Sequence, residues 1–199
     1  MENLIYKMEF IGKNKIKLDR LFGELDNFVF RFIRTLEKYA DYVIVSGYVA
    51  ILFGRSRATE DVDVFIREIN KNKMSELYKA LLDDGLWCLN ADDLDEIYNL
   101  LKEGNGIRFA ENGSSIPNIE VKFALKSLHK RSFDDMVEVL TKKGSIWISS
   151  IEQQIAFKKF FLGSEKDMED ARHLEKAFKE QIDYKKVEEY KKIIENEKA

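Results

Sequence analysis

Apolar residues recur at Leu18, Leu21, Phe22, Leu25, Val29, Phe32, Ile33 and Leu36. This spacing of three and four draws one apolar stripe along a helix and predicts a helix from Leu18 to about Tyr39. The next segment, Tyr42-Val43-Ile44-Val45, is short, β-branched and bounded by Ser46-Gly47, which predicts a buried strand that stops at a turn. A short helix, 48–53, follows. After a polar, turn-like stretch at 54–60, Val62, Val64 and Ile66 alternate with Asp61 and Asp63, the period of a strand with one polar edge. Helical patterns cover 70–82 and 92–102. Two strands, 107–111 and 119–124, flank a turn at 112–117, and a hairpin joins 136–140 to 146–148 around Lys142-Lys143-Gly144. Beyond Ser150 the pattern is helical throughout, at about 151–162, 167–181 and 184–196. The chain therefore reads as α/β (α+β) over 1–149, with an N-terminal helix, followed by a helical region, 150–199, docked on that core.

Length and composition narrow the class. The 199 residues allow one sizeable domain with a small appendage, at about 100–200 residues per domain. Thirty-three basic against 36 acidic side chains leave a net charge of −3, so any basic patch is local. Cys88 is the single cysteine, which excludes an internal disulfide. No apolar run approaches the roughly 18–20 residues of a membrane span, and Lys7, Glu9, Lys13 and Lys15 interrupt the start, unlike a secretory signal. A soluble, cytoplasmic protein with no membrane partner is the expectation.

Residues two apart on a strand share a side, so Asp61 and Asp63 project together while Val62 and Val64 enter the core. Such a pair is either a solvated strand edge or an oxygen-donor site for Mg²⁺ or Mn²⁺, whose charge relieves the repulsion. Ser46-Gly47, between a buried strand and a helix, is either a plain turn with Ser46 as cap or a place where backbone N–H groups meet phosphate, with Gly47 permitting close approach. Lys158 falls inside the apolar arc of Ile151, Ile155, Phe161 and Leu162. At 100° per residue it must snorkel or meet a charge, whether a phosphate oxygen or a docking partner such as Asp167 or Asp170. Glu120, on the strand 119–124, reads alone as an exposed strand acid. Lys122, Lys126, Lys130 and Arg131 make the local basic concentration, a solvated face or a guide for an anionic acceptor. His129 and His173 lack metal-ligand spacing and read as surface or packing residues, and Cys88 as a small core residue.

Together these motifs resemble the nucleotidyltransferase superfamily, the fold of DNA polymerase beta. The match is Val45-Ser46-Gly47, a spacer, and Asp61-Val62-Asp63-Val64. The run from Val45 to Gly54, followed by Arg57-x-Thr59-x-Asp61, is similar to AbiE-type toxins and related small prokaryotic nucleotidyltransferases. So is the later segment with Ile155-Ala156-Phe157-Lys158 and Lys166-Asp167-x-x-Asp170. The departure is order: Ser46-Gly47 stands where many members have Gly-Ser or Gly-Gly. The resemblance implies a mixed sheet flanked by helices and Mg²⁺-dependent transfer of a nucleoside monophosphate from an NTP to an acceptor hydroxyl on tRNA, protein or a small molecule. By the same resemblance Asp61, Asp63 and Glu120 hold metal and Glu120 takes the acceptor's proton. Ser46, Gly47 and Lys158 meet phosphate, Arg57 and Thr59 shape the loop into the acidic strand, and an antitoxin partner is implied. Two other readings stand beside it. One is a non-catalytic member of the fold that binds a nucleotide or a partner protein; the other is a nucleic-acid-binding module built on the stretch near Lys126.

Overall fold

A computed structural model describes residues 6–198 of the chain. The strands are β1 (Tyr6–Gly12), β2 (Lys15–Arg20), β3 (Tyr42–Val45), β4 (Asp61–Ile66), β5 (Leu86–Cys88), β6 (Ile107–Glu111), β7 (Asn118–Phe123), β8 (Val137–Thr141) and β9 (Gly144–Ile148). Among the described residues they form a nine-stranded mixed sheet in the order β1-β2-β8-β9-β3-β4-β7-β6-β5. The helices are α1 (Glu24–Leu36), α2 (Gly47–Leu52), α3 (Lys71–Asp83), α4 (Leu94–Lys102), α5 (Ser127–Arg131), α6 (Ile151–Ala156), α7 (Glu165–Ala177) and α8 (Tyr184–Lys198). The mixed sheet flanked by helices, with helices closing the chain, is the expected class.

Register makes the two sheet faces chemically different. Val62, Val64 and Ile66 of β4 lie opposite Ile119, Val121 and Phe123 of the parallel strand β7. All six are buried, packed in one core with Phe32, Ile33 and Leu36 of α1 and Met74, Leu77 and Leu81 of α3. Burial of each such side chain contributes about 1.5–3 kcal/mol, which locks the register of β4. The other face of the same strands carries Asp61, Asp63 and Phe65 opposite Asn118, Glu120 and Lys122. Beside them a small apolar cluster of Val43, Val45, Ala124 and Phe133 packs on Phe65.

The structure corrects the sequence reading at the N-terminal side. The helix begins at Glu24, not Leu18, and an antiparallel hairpin of β1 and β2 precedes it. Ile16 and Leu18 are buried while Lys17 and Asp19 turn outward, so Leu18 belongs to a period of two that also fits the helical stripe. Leu21 is 85% exposed and packs on nothing that would hold it in a helix. The start at Glu24 is fastened by Asp26, which is buried and accepts from the Gly23 N–H (2.8 Å) and the Tyr48 hydroxyl (2.7 Å) and pairs with Arg20. Strand β5, with Cys88 buried in it, also went unread because three residues carry no period. Burial pushes the Cys88 thiol up, away from a reactive thiolate.

At the other end, the predicted helix 151–162 changes pitch. After Ala156 the chain continues as a π-helical turn, Phe157–Leu162, ended by Gly163 in the left-handed region (φ 68°), whose N–H bonds back to the Lys158 carbonyl at 2.9 Å. Among the described residues no helix is long and apolar enough to cross a membrane.

Candidate active site

The polar face of β4 opens towards a cavity of about 930 Å³. Val45, Asp63, Phe65, Lys122, Lys126 and Phe157 are among its walls, with Ser46 beside them, so residues from β3, β4, β7, the segment before α5 and the π-helical turn converge there. That size and this mixture of apolar wall and few charged groups are typical of small-molecule sites. His129 also lines it, stacked on Phe65 with ring centroids 4.1 Å apart. Burial, with Lys126 adding to it, pushes His129 down to about 4, so the imidazole is neutral at pH 7. His173 bonds the Phe53 carbonyl through Nε2 at 2.9 Å. His173 is thus a packing residue, whereas His129 stands in the cavity wall.

Asp63 is half-buried and Asp61 exposed. Burial pushes the Asp63 carboxyl up to about 6; Lys122 opposes the rise, Asp61 and Glu120 add to it, and a hydrogen bond with the Ser46 side chain opposes it. Negative charge is therefore crowded here. Thr59 reaches into this start of β4, its hydroxyl donating to the Asp61 carbonyl at 2.9 Å.

Glu120 lies directly across from Asp63 in the β4–β7 register, yet it is not the exposed strand acid that its position alone suggested. It is 8% exposed, and each oxygen has a cation: Arg108 donates to Oε1 at 2.9 Å and Lys122 bonds Oε2. Burial alone would raise its pKa, but Lys122 and Arg108 hold it below the usual carboxylate range. Gly106 makes this placement possible. A Cβ there would lie 2.6 Å from Glu120 Cγ, inside any tolerated contact. Gly106→Ala is therefore expected to cost about 1–3 kcal/mol in urea denaturation by forcing Glu120 off its cations; unchanged stability would mean that the side chain swings aside freely.

The donor set can be compared with the metal that the resemblance implies. Asp61 and Asp63 offer hard oxygens on one strand face, which suits Mg²⁺ or Mn²⁺. Glu120 does not join them in this arrangement, since both its oxygens are engaged. Among the described residues no three His, Cys, Asp or Glu side chains converge closely enough to hold a metal ion.

The Ser46-Gly47 turn also departs from expectation. Ser46 has positive φ (64°), a conformation that costs a non-glycine residue about 1–3 kcal/mol and concentrates at functional sites. Its N–H is donated to Gln154 Oε1 at 3.1 Å, so this group already has a protein acceptor. Gly47 gives room to an arginine: a Cβ would lie 2.7 Å from an Arg57 guanidinium nitrogen.

Arg57 belongs to a second cluster, centred on Asp170. This carboxylate is fully buried and is bonded by Lys158 Nζ (2.8 Å), Arg55 Nε (3.0 Å) and Arg57 Nη1. Burial alone would raise its pKa; Lys158, Arg55 and Arg57 bring it below the ordinary value. Lys158 is 1% exposed and also lies 3.4 Å from Asp167. Asp170 is thus one charge that Lys158 meets within the fold. Asp167 is itself bonded to the α7 cap Ser164, and Lys166 is exposed. The sequence reading missed Arg55, Arg108, Gly106 and Gln154. Arg108 and Gly106 matter only through β6–β7 register, and Arg55 meets Asp170 across 115 positions, so no local pattern marks them.

No family model matches the sequence, and no curated protein matches it. Solved structures do. The antibiotic-resistance factor ANT(2'')-Ia matches in its solution structure, at TM-score 0.56 and 12% identity over 86% of this chain and 91% of that one. Its crystal structure in complex with adenylyl-2''-tobramycin matches at TM-score 0.57 and 12% identity, over 87% and 98%. The chain has a nucleotidyltransferase-like fold. A nucleotidyltransferase-like protein from Paracoccidioides brasiliensis is 16% identical over 76% of this chain and 74% of that one, at TM-score 0.46. On this nucleotidyltransferase-like sheet Asp63 and Phe65 of β4 stand in the wall of the large cavity, and Arg57 of the Asp170 cluster packs against Gly47.

Proposed function

We propose that this chain transfers a nucleoside monophosphate from an NTP to an acceptor hydroxyl and releases pyrophosphate. The observation that carries the reading is the placing of Asp63, two residues from Asp61 on one strand face, in the same cavity wall as Ser46, Lys122 and Lys126. Asp61 and Asp63 would hold Mg²⁺ or Mn²⁺, which supplies positive charge to the attacked α-phosphate and the leaving pyrophosphate. Lys122 and Lys126 attract the triphosphate, and the aromatic wall of Phe65 and Phe157 gives a base an apolar surface. The acceptor oxygen forms a bond to the α-phosphorus as the bond to the β-phosphate oxygen breaks. Glu120 receives the hydroxyl proton once one of its oxygens is released. Arg57, Thr59, Lys158, Asp167 and Asp170 act by holding the loop into β4 and the turn at Gly47.

Within this activity the AbiE-type pattern at Val45–Gly54, Arg57-x-Thr59-x-Asp61 and Lys166–Asp170 favours a prokaryotic, cytoplasmic enzyme of the toxin–antitoxin kind, its helical region 150–199 docked on the core 1–149. The two lysines in the cavity favour an anionic acceptor, such as tRNA, over a polycationic one. A non-catalytic nucleotide-binding member is the second reading, favoured by the engaged oxygens of Glu120 and the engaged Ser46 N–H.

Labelled NTPs separate these. With tRNA, protein and small-molecule acceptors, aminoglycosides included, α-phosphate label is expected on the acceptor and γ-phosphate label in pyrophosphate. Transfer of γ label would make the chain a kinase. Mg²⁺-dependent NTP binding without transfer to any acceptor would establish the second reading.

A further inference from the structure

Lys122 is used twice by the geometry. Its ammonium bonds Glu120 Oε2, and its side chain lines the cavity beside Asp63. In the β4–β7 register it sits two pairs beyond Asp63 and Glu120, on the same face and opposite Phe65. Arg108 holds the other oxygen of Glu120 from β6, across the ladder. The two cations are not equivalent, because Arg108 does not line the cavity whereas Lys122 does.

We propose that Lys122 is an internal counter-cation of the carboxylate row, displaced from Glu120 when a divalent cation occupies the aspartate pair and then turned into the cavity towards an anionic substrate group. The inference rests on the reading of Asp61 and Asp63 as metal donors and extends it to a residue which that reading uses only for general attraction. Its physical basis is exchange of charge. A buried carboxylate opposite a second carboxylate needs a neighbouring positive charge, and an ammonium on a flexible four-carbon stem supplies one that can leave. A divalent cation beside Asp63 brings twice that charge, repels the Lys122 ammonium and neutralises the same carboxylates. Arg108 stays behind to orient Glu120 through one oxygen, leaving the other for the acceptor's proton. The rearrangement makes triphosphate attraction strongest when metal is present, since only then is the Lys122 ammonium free of Glu120.

Mn²⁺ binding to the full chain, read by calorimetry and by the electron paramagnetic resonance of free Mn²⁺, tests this without recourse to activity. Lys122→Gln is expected to tighten Mn²⁺ by about tenfold or more, because the competing ammonium is gone. Lys126→Gln removes the same charge from the same cavity and is expected to change affinity by less than about threefold. Equal effects of the two substitutions, or weaker binding in Lys122→Gln, overturn the exchange. If Mn²⁺ binds the parent and is lost in Asp61→Asn, the metal reading survives that failure; if no Mn²⁺ binds the parent, both fall together. Should Lys122→Gln not fold, the parent itself still decides. Titration with diamagnetic Mg²⁺ should shift the ζ-ammonium resonance of Lys122, assigned by its absence in Lys122→Arg, and leave that of Lys126 in place. A Lys122 resonance unmoved at saturating Mg²⁺ overturns the proposal.

Discussion

Asp63→Asn is expected to raise the stability of the protein while abolishing transfer. The Asp63 carboxyl is pushed up to about 6 by burial, with Asp61 and Glu120 adding to the rise. Between its unfolded value near 4 and this folded value, the native state holds more protons than the unfolded chain, so stability falls as pH rises through that window and the loss is complete above 6. Two units correspond to about 3 kcal/mol, which solvent access at this half-buried site reduces to about 1–2 kcal/mol. The asparagine keeps the shape and carries no charge. Its melting temperature in chelator should exceed the parent's at pH 7.5, and the gain should vanish near pH 4. His129, pushed down to about 4, contributes the opposite slope in both proteins, so the difference between them isolates Asp63. Transfer by the variant should fall at least about a thousandfold, as expected for the loss of a group that positions charge at the reacting phosphate. A variant no more stable than the parent at neutral pH would show that Lys122 already neutralises the aspartate.

Asp170→Ala should lower stability by about 3–5 kcal/mol, because it leaves the buried Lys158 and the Arg55 and Arg57 guanidinium groups without their shared carboxylate. Urea denaturation measures it. Asp170→Asn should recover part of the loss by keeping acceptor geometry, and Lys158→Met should cost less than Asp170→Ala because Asp170 keeps Arg55 and Arg57 as partners when the lysine charge is removed. If Lys158→Met leaves stability intact but abolishes NTP binding, Lys158 is a phosphate ligand after all and its pairing with Asp170 is incidental.

These two sites differ in how far the sequence exposes them. The alternation Asp61-Val62-Asp63-Val64 by itself determined that both aspartates share a face, because a strand has a period of two and the buried valines leave no other register. The same kind of pattern determined the succession of α/β elements followed by helices, and the apolar arc around Lys158 required that this lysine meet a charge. Where two periods fit one stretch, pattern alone failed: Leu18 suits a helix and a strand equally, and Asp26, fixed by Tyr48 and Arg20, decides between them. Only the tertiary structure decided that Lys158 bonds Asp170, that Glu120 is clamped by Arg108 and Lys122 over Gly106, and that the Ser46 N–H goes to Gln154. The physical reason is common to all three. Burial and periodicity are local properties that the chain writes into neighbouring positions, whereas the partner of a buried charge is set by sheet order and helix docking between residues far apart in sequence, which no spacing along the chain encodes.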